Sequence, residues 1–240
     1  MLRDYQIEMK TRLMEAWKAH RSVMVQMPTG TGKTHLLASV VSEFVSSAGS
    51  GVWLIAHRRE LVAQMEETLA KYGIRREDTP VRVMSVQWLS RHWNEAGDAP
   101  GLIVIDEAHH ALAASYTEMW KRYPAAKKLG VTATPCRLNR RGFTELFEVL
   151  VTSWSIAEFI EKGVLSVFDY VSIRPGSEEQ RLIDGLEKRG ADGDYQVKEM
   201  DAVLNRRPGI ERLYRSVRQF ASGKKGMVYA ISIEHARRIA

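Results

Sequence analysis

Cysteine occurs once in the 240 residues, at position 136. A lone thiol closes no intramolecular disulfide and builds no cysteine-rich metal centre; Cys136 reads as a small side chain filling a gap. Also missing is any apolar run approaching the ~20 residues that a bilayer-spanning helix needs. The opening Met1-Leu2-Arg3-Asp4-Tyr5 has no apolar core of a secretory leader. These absences together point to the cytoplasm. No internal repeat or low-complexity tract interrupts the chain, which excludes solenoids and disordered scaffolds. What is present is an ordinary globular mixture, 45% hydrophobic and 27% charged. Its length suits one large α/β domain, or one domain and part of a second.

Basic excess is scarce over most of the chain, although the net charge is +6. From Val203 onward nine Lys/Arg face two glutamates, so that segment carries +7 and residues 1–202 carry −1. The tail is therefore able to follow phosphates, but basic residues on helices also make solvated faces, and charge alone identifies no partner.

Strand-like and helix-like segments alternate through the first two thirds, the pattern of a parallel sheet covered on both faces. Strands are expected at Val23–Gln26, Val52–Ala56, Val81–Ser85, Leu102–Ile105, Lys128–Val131, Glu148–Val151 and Val167–Ile173. Helical spacing is expected over Gln6–Ala19, Thr34–Ser46, Arg59–Tyr72, Val86–Trp93, Tyr116–Arg122 and Ile156–Lys162. Beyond Ser177 the pattern changes. Glu178–Arg189 and Gln196–Leu204 read as helices around a loop at Gly190–Asp194, and Arg207-Pro208-Gly209 reads as a turn or linker. Ile210–Ala221 is helical, Met227–Ile231 strand-like and Glu234–Ala240 helical. The expected division is 1–175 for the main α/β domain, 176–207 for a helical linker and 208–240 for the incomplete start of a second α/β domain.

Two segments carry chemistry. Met27-Pro28-Thr29-Gly30-Thr31-Gly32-Lys33-Thr34 follows the apolar Val23-Met24-Val25 and precedes helical spacing at Leu36, Leu37, Val40, Val41 and Phe44. This is a phosphate-binding loop ending in Gly-Lys-Thr, with the first glycine of the usual pattern replaced. Gly30 and Gly32 let the backbone curl, so that the N–H groups of Thr29 to Gly32 point inward, and the following helix adds its positive end. Lys33 can reach the β- and γ-phosphates, and the Thr34 hydroxyl can hold Mg²⁺. The second segment is Leu102–Ile105 followed by Asp106-Glu107-Ala108-His109. An apolar strand ending in Asp-Glu delivers one carboxylate, Asp106, to Mg²⁺ and a second, Glu107, to a water. ATP and Mg²⁺ are the expected ligands.

In order, these motifs resemble those of superfamily 2 DEAD/DEAH-box helicases, in the group with type III restriction and excision-repair-type enzymes. Leu2–Gln6 resembles the upstream adenine-reading motif, with Gln6 pairing to adenine. Met27–Thr34 resembles motif I, Ala56–Leu61 motif Ia, Asp106–His109 motif II and Val131-Thr132-Ala133-Thr134-Pro135 motif III, with Arg137 just beyond. Val83–Gln87 is similar to motif Ib, and Gly226–Ala230 to motif IV, the first strand of a second RecA-like domain. The resemblance implies a RecA-like P-loop NTPase fold, mostly parallel with helices on both faces, plus the start of a second such domain. It further implies that Glu107 is the general base, that His109 couples motifs II and III, and that Thr132 and Thr134 sense loss of the γ-phosphate. His57, Arg58 and Gln87 become candidates for nucleic-acid backbone contacts; His110 reads as surface. Trp53, Trp88, Trp93, Trp120 and Trp154 read as packing.

The implied function is an ATP-dependent helicase or translocase, with double-stranded DNA preferred over RNA as partner. The family's motif VI pattern, Gln-x-x-Gly-Arg-x-x-Arg with its arginine finger, does not occur in the sequence. The chain is accordingly expected to be a fragment with weak turnover. The alternative is a nucleotide-binding module with negligible turnover because motifs V and VI are lacking. A P-loop phosphotransferase acting on a small molecule would leave Asp106–His109 and Val131–Pro135 without a role.

Overall fold

Apolar residues on both sides of each strand decide the architecture. Val23 and Val25 of β1 (Ser22–Gln26) point to one face of the sheet, and Met24 to the other; all three are buried. In β4 (Leu102–Asp106), Leu102 and Val104 take the first face, and Ile103 and Ile105 the second. Such strands need cover on both sides. The computed structural model describes residues 2–57, 59–108, 114–135, 143–171, 177–190 and 194–240. Arg58, His109, His110, Cys136, Arg137 and the centre of the Gly190–Asp194 loop lie outside the described residues. The chain divides into two units, Met1–Ser166 and Val167–Ala240.

The first unit holds a six-stranded sheet of order β3-β2-β4-β5-β1-β6, every pairing parallel. The other strands are β2 (Val52–Ala56), β3 (Val81–Ser85), β5 (Lys127–Thr132) and β6 (Val149–Thr152). Against one face pack α1 (Asp4–Ala19), through Tyr5, Met9, Leu13 and Trp17, and α2 (Lys33–Ala48), through Leu36, Leu37, Val40 and Val41. Met65 and Leu69 of α3 (Glu60–Ala70) and Phe159 of α6 (Ile156–Glu161) complete that layer. The other face carries α4 (Val86–Leu89), through Val86 and Leu89, and α5 (Ala114–Arg122), through Tyr116 and Met119. Each fully buried side chain of this size contributes about 1.5–3 kcal/mol.

Packing is close at Gly130. A Cβ built there would lie 2.5 Å from Phe147 Cζ and 2.8 Å from the Ala108 methyl. Gly130→Ala is therefore expected to cost about 1–3 kcal/mol through overpacking, read as a lowered midpoint in thermal or urea unfolding.

At the amino end of the sheet, the Glu148 carboxylate accepts the N–H groups of Arg21 (2.6 Å) and Ser22 (2.8 Å). Its pKa is lowered chiefly by the Ser22 backbone bond, against some desolvation, with help from the Arg21 N–H, the Ser22 hydroxyl and the His20 charge. A carboxylate lowered in the folded state stabilises above its unfolded pKa and loses that contribution as pH falls through the folded value. Because Glu148 is solvent-exposed, Glu148→Gln is expected to cost less than about 1 kcal/mol at neutral pH. Unfolding midpoints of wild type and variant should converge in acid.

The second unit contains α7 (Ser177–Asp184), α8 (Val197–Leu204), α9 (Arg207–Phe220) and α10 (Ile233–Ile239). Three expectations are corrected here. Met227–Ile231 is not a strand, and Met227 and Tyr229 are 77% and 90% exposed. Val167–Val171, the described part of another expected strand, is also irregular and exposed. A strand's backbone groups need a neighbour, and the second unit has no ladder among its described residues, only an isolated Arg189–Tyr195 bridge. Third, Arg207-Pro208-Gly209 is the first turn of α9 rather than a linker. Proline's fixed φ suits that position, where no N–H is required.

Candidate nucleotide site

Parallel order gathers the chemically loaded segments at one edge. β5 lies between β1 and β4, with Gln26 level with Thr132 and Asp106 level with Val131. The phosphate loop, Asp106-Glu107 and the Thr132–Thr134 loop therefore leave the carboxyl ends of three adjacent strands, where open α/β sheets bind ligands. Met27 continues the pairing by donating its N–H to the Thr132 carbonyl at 3.0 Å, which ties the loop's entry to the neighbouring segment.

The loop has the backbone that anion binding requires. Gly30 and Gly32 adopt φ of +85° and +77°, in the left-handed region open to glycine. Gly32 is the N-cap of α2 and offers no side chain to cap it, so the helix's positive end faces the loop. Thr31, 1% exposed, closes the turn by donating its hydroxyl to the Pro28 carbonyl at 2.7 Å. Lys33 and Thr34 begin the helix, with Thr34 exposed. This curled, cap-free backbone suits a polyphosphate; Lys33 could meet its charge, and Thr34 with Asp106 could hold a magnesium ion. No group of three or more His, Cys, Asp or Glu capable of holding a metal occurs among the described residues. A cation here would thus depend on oxygens from the nucleotide as well.

The α1 helix braces the loop from behind. Tyr5 donates its hydroxyl to the Thr31 carbonyl at 2.9 Å. The Gln6 amide donates to the Thr31 and Gly32 carbonyls, both at 3.1 Å, while its oxygen accepts the Arg3 N–H at 2.9 Å. Gln6 is 3% exposed, so the residue expected to read adenine is tied to the phosphate loop in this structure. Tyr5 also packs edge-on against Phe159, centroids 5.0 Å apart, and against Trp154 at 5.6 Å. Sequence reasoning missed this bracing by Tyr5. It also missed Leu165, whose Cδ2 lies 3.2 Å from a Cβ built on Gly30.

At the end of β4 the chain turns sharply. Glu107 adopts φ +50°, the only positive value for a non-glycine among the described residues, and its N–H bonds to Asp106 Oδ1 at 3.0 Å. Left-handed backbone costs a non-glycine residue roughly 1–2 kcal/mol, and such outliers cluster where function constrains the chain. The Thr132 hydroxyl, fully buried, donates to the Thr134 carbonyl and accepts the Thr134 N–H, both at 3.1 Å. Thr134 itself is exposed. The nucleic-acid candidates are brought together in part: Gln87 donates its amide to the His57 carbonyl at 2.6 Å. Trp53, Trp93, Trp120 and Trp154 pack as expected. Trp88 does not: it is 39% exposed and stacked on His92, centroids 4.8 Å and planes 11° apart.

A parallel sheet of this order, with these three loops on one edge, defines a RecA-like first domain of the helicase class. The chain belongs to the family described as type III restriction enzyme, res subunit, whose model matches residues 1–137. It is 26% identical over 269 residues to the putative ATP-dependent helicase IRC3 of Saccharomyces cerevisiae, covering 100% of this chain and 38% of that protein. It is 28% identical over 205 residues to the DNA 3'-5' translocase XPB2 of Sulfurisphaera tokodaii, covering 78% of this chain and 44% of that protein. The Pyrococcus furiosus Hef helicase domain superposes with a TM-score of 0.59 at 17% identity, covering 98% of this chain and 57% of that chain. The chain thus spans less than half the length of the curated relatives it matches. Among the described residues, no helix is long and apolar enough to cross a membrane.

Proposed function

We propose that this chain is the ATP-binding half of a DNA motor, a helicase or translocase acting in the cytoplasm on double-stranded DNA. The observation that carries the reading is the convergence of the phosphate loop, Asp106-Glu107 and the Thr132 turn on three adjacent strand ends. The preference for DNA draws on the likeness to XPB2. In this reading the amides of Thr29 to Gly32 and the Lys33 ammonium hold the phosphates, and Thr34 and Asp106 hold Mg²⁺. Bound Mg²⁺ supplies charge neutralisation on the phosphate oxygens. Glu107 orients the attacking water and accepts its proton. Gln6 reads adenine through the second lone pair of its amide oxygen, which can accept from an exocyclic amino group. His109 and the Thr132–Thr134 turn relay the state of the nucleotide, and His57, Arg58 and Gln87 face the DNA backbone.

A second reading, for these 240 residues by themselves, is a module that binds ATP with negligible turnover; the chain spans less than half the length of its curated relatives. Related arginine fingers are worth ~10³–10⁵ in rate. The test is ATP binding and turnover by the 240-residue chain, with and without duplex DNA, alone and fused to a second RecA-like unit. Tight binding, near-background turnover alone, and DNA-stimulated turnover of the fusion support the motor. Unstimulated hydrolysis by the chain alone, at the rate of the fusion, would sink it.

A further inference from the structure

The phosphate loop rests on a second support besides α1. β6 is the edge strand beside β1, and past Trp154 it leads into α6, a helix of six residues. So few residues do not hold a helix by propensity; caps at both ends hold this one. At its start the Ser155 hydroxyl accepts the Glu158 N–H at 3.2 Å, and the Glu158 carboxylate accepts the Ser155 N–H at 2.7 Å, a reciprocal capping box. At its end Gly163, at φ +67°, closes a Schellman turn. The Gly163 N–H donates to the Ile160 carbonyl at 2.9 Å. The Phe159 carbonyl accepts both the Val164 N–H at 2.9 Å and the Leu165 N–H at 3.1 Å.

This capped block meets the loop twice. Phe159, fully buried, packs edge-on against Tyr5, whose hydroxyl holds the Thr31 carbonyl. Leu165, turned inward by the cap, reaches Gly30 directly, where the left-handed curl of the loop begins: its Cδ2 lies 3.2 Å from a Cβ built there. Leu165 is also where the first unit lets go of the chain. It is partly buried against the main core, whereas Ser166 is exposed, and Val167 and Phe168, past the boundary, are 85% and 66% exposed. The last anchored side chain of the first unit is therefore one that touches the phosphate loop. A loop that changes shape around phosphates moves Leu165, and by the reciprocity of linked equilibria a displaced Leu165 changes the affinity of the loop.

We propose that Leu165 is a positioning residue of the nucleotide site, and that through it ATP affinity is linked to the chain leaving the first unit. The inference rests on the ATP-binding reading above and adds to it a point of control outside every motif named in the sequence. The test is isothermal titration of the full 240-residue chain with ATP and Mg²⁺, together with amide hydrogen exchange at Val164 and Leu165 with and without ATP. In the wild type, ATP should slow exchange at these two amides about tenfold, an ordinary strength of coupling between sites. Leu165→Ala should weaken ATP binding about tenfold and abolish the slowing, whereas Leu165→Met, close in volume, should keep both. Gly163→Ala leaves every contact of the loop in place, and its methyl group meets nothing within 4 Å, but it strains the left-handed cap that turns Leu165 inward. Affinity for ATP should then fall about threefold. A Leu165→Ala chain that melts earlier yet binds ATP as the wild type does would reduce Leu165 to core packing and overturn the proposal. So would exchange at Val164 and Leu165 that ignores ATP in the wild type. Should Leu165→Ala fail to fold, unchanged affinity in Gly163→Ala decides against the link. Each of these outcomes leaves ATP binding itself standing; a wild-type chain that binds no ATP would overturn the nucleotide reading as well.

Discussion

Glu107→Gln, in a fusion that supplies a second RecA-like unit, is expected to lower ATP turnover by about 10²–10⁴-fold, the usual worth of a positioned general base. Affinity for ATP should change little. The amide is close to isosteric with the carboxylate, accepts a hydrogen bond as before, and removes only the ability to take a proton. The geometry sharpens the expectation. Glu107 sits at φ +50° immediately after Asp106, whose Oδ1 accepts its N–H, so its backbone is committed to one direction. A residue that merely started a surface helix would have no reason to be held there at a cost of roughly 1–2 kcal/mol. Measured turnover in single-turnover format, together with titration of a fluorescent ATP analogue, separates the two effects. A fall in affinity that matched the fall in rate would mean that Glu107 holds the nucleotide rather than activating water. Asp106→Asn provides the contrast, because a magnesium ligand should affect both quantities.

The six strands were legible because a strand buried on both faces reads as an unbroken apolar run, as in Leu102–Ile105. The loops that follow them were legible because phosphate and magnesium chemistry admits few residue types. What escaped depends on neighbours that sequence order does not reveal. Val167–Val171 and Met227–Ile231 have strand-like composition, but composition cannot supply the adjacent strand their backbones need, and both are irregular. Val86–Trp93 has the spacing of one helix. Its capped first turn ends at Leu89, and a short 3₁₀ turn follows at Trp93–Glu95. Within that turn Val86 and Leu89 face the core, which leaves Trp88 on the outer side, while Trp93 packs against the core from beyond the break. The strand order was also invisible, yet it alone puts Thr132 between the phosphate loop and Asp106. Gln6 was read from its motif as a nucleotide contact. That its amide grips the loop's carbonyls is a consequence of how α1 lies against α2, and no spacing rule carries that information.

The grip of Gln6 leads to the second large expectation, that Gly32→Ala reduces ATP affinity by about 30-fold or more. A Cβ at position 32 would stand 2.5 Å from Gln6 Nε2, and the residue holds φ +77°. The left-handed backbone costs alanine roughly 1–2 kcal/mol, and crowding the amide adds about 1–3 kcal/mol. Together these reach about 2–5 kcal/mol, or ~30- to several thousand-fold if the loop deforms to relieve them. The two costs can be separated. Gln6→Ala alone removes the donors to Thr31 and Gly32 and should weaken ATP binding about tenfold, the loss of one or two hydrogen bonds to a positioned loop. If the clash with Gln6 is the larger part of the Gly32→Ala defect, the double variant Gln6→Ala/Gly32→Ala will bind ATP better than Gly32→Ala alone, because the new methyl group then has room. Residues in contact commonly show couplings of 0.5–3 kcal/mol, which isothermal titration resolves. Strict additivity would instead place the whole defect in the backbone, with the Gln6 amide moving aside at no cost. The cycle therefore measures how firmly the first helix holds the phosphate loop in the shape that a nucleotide must find.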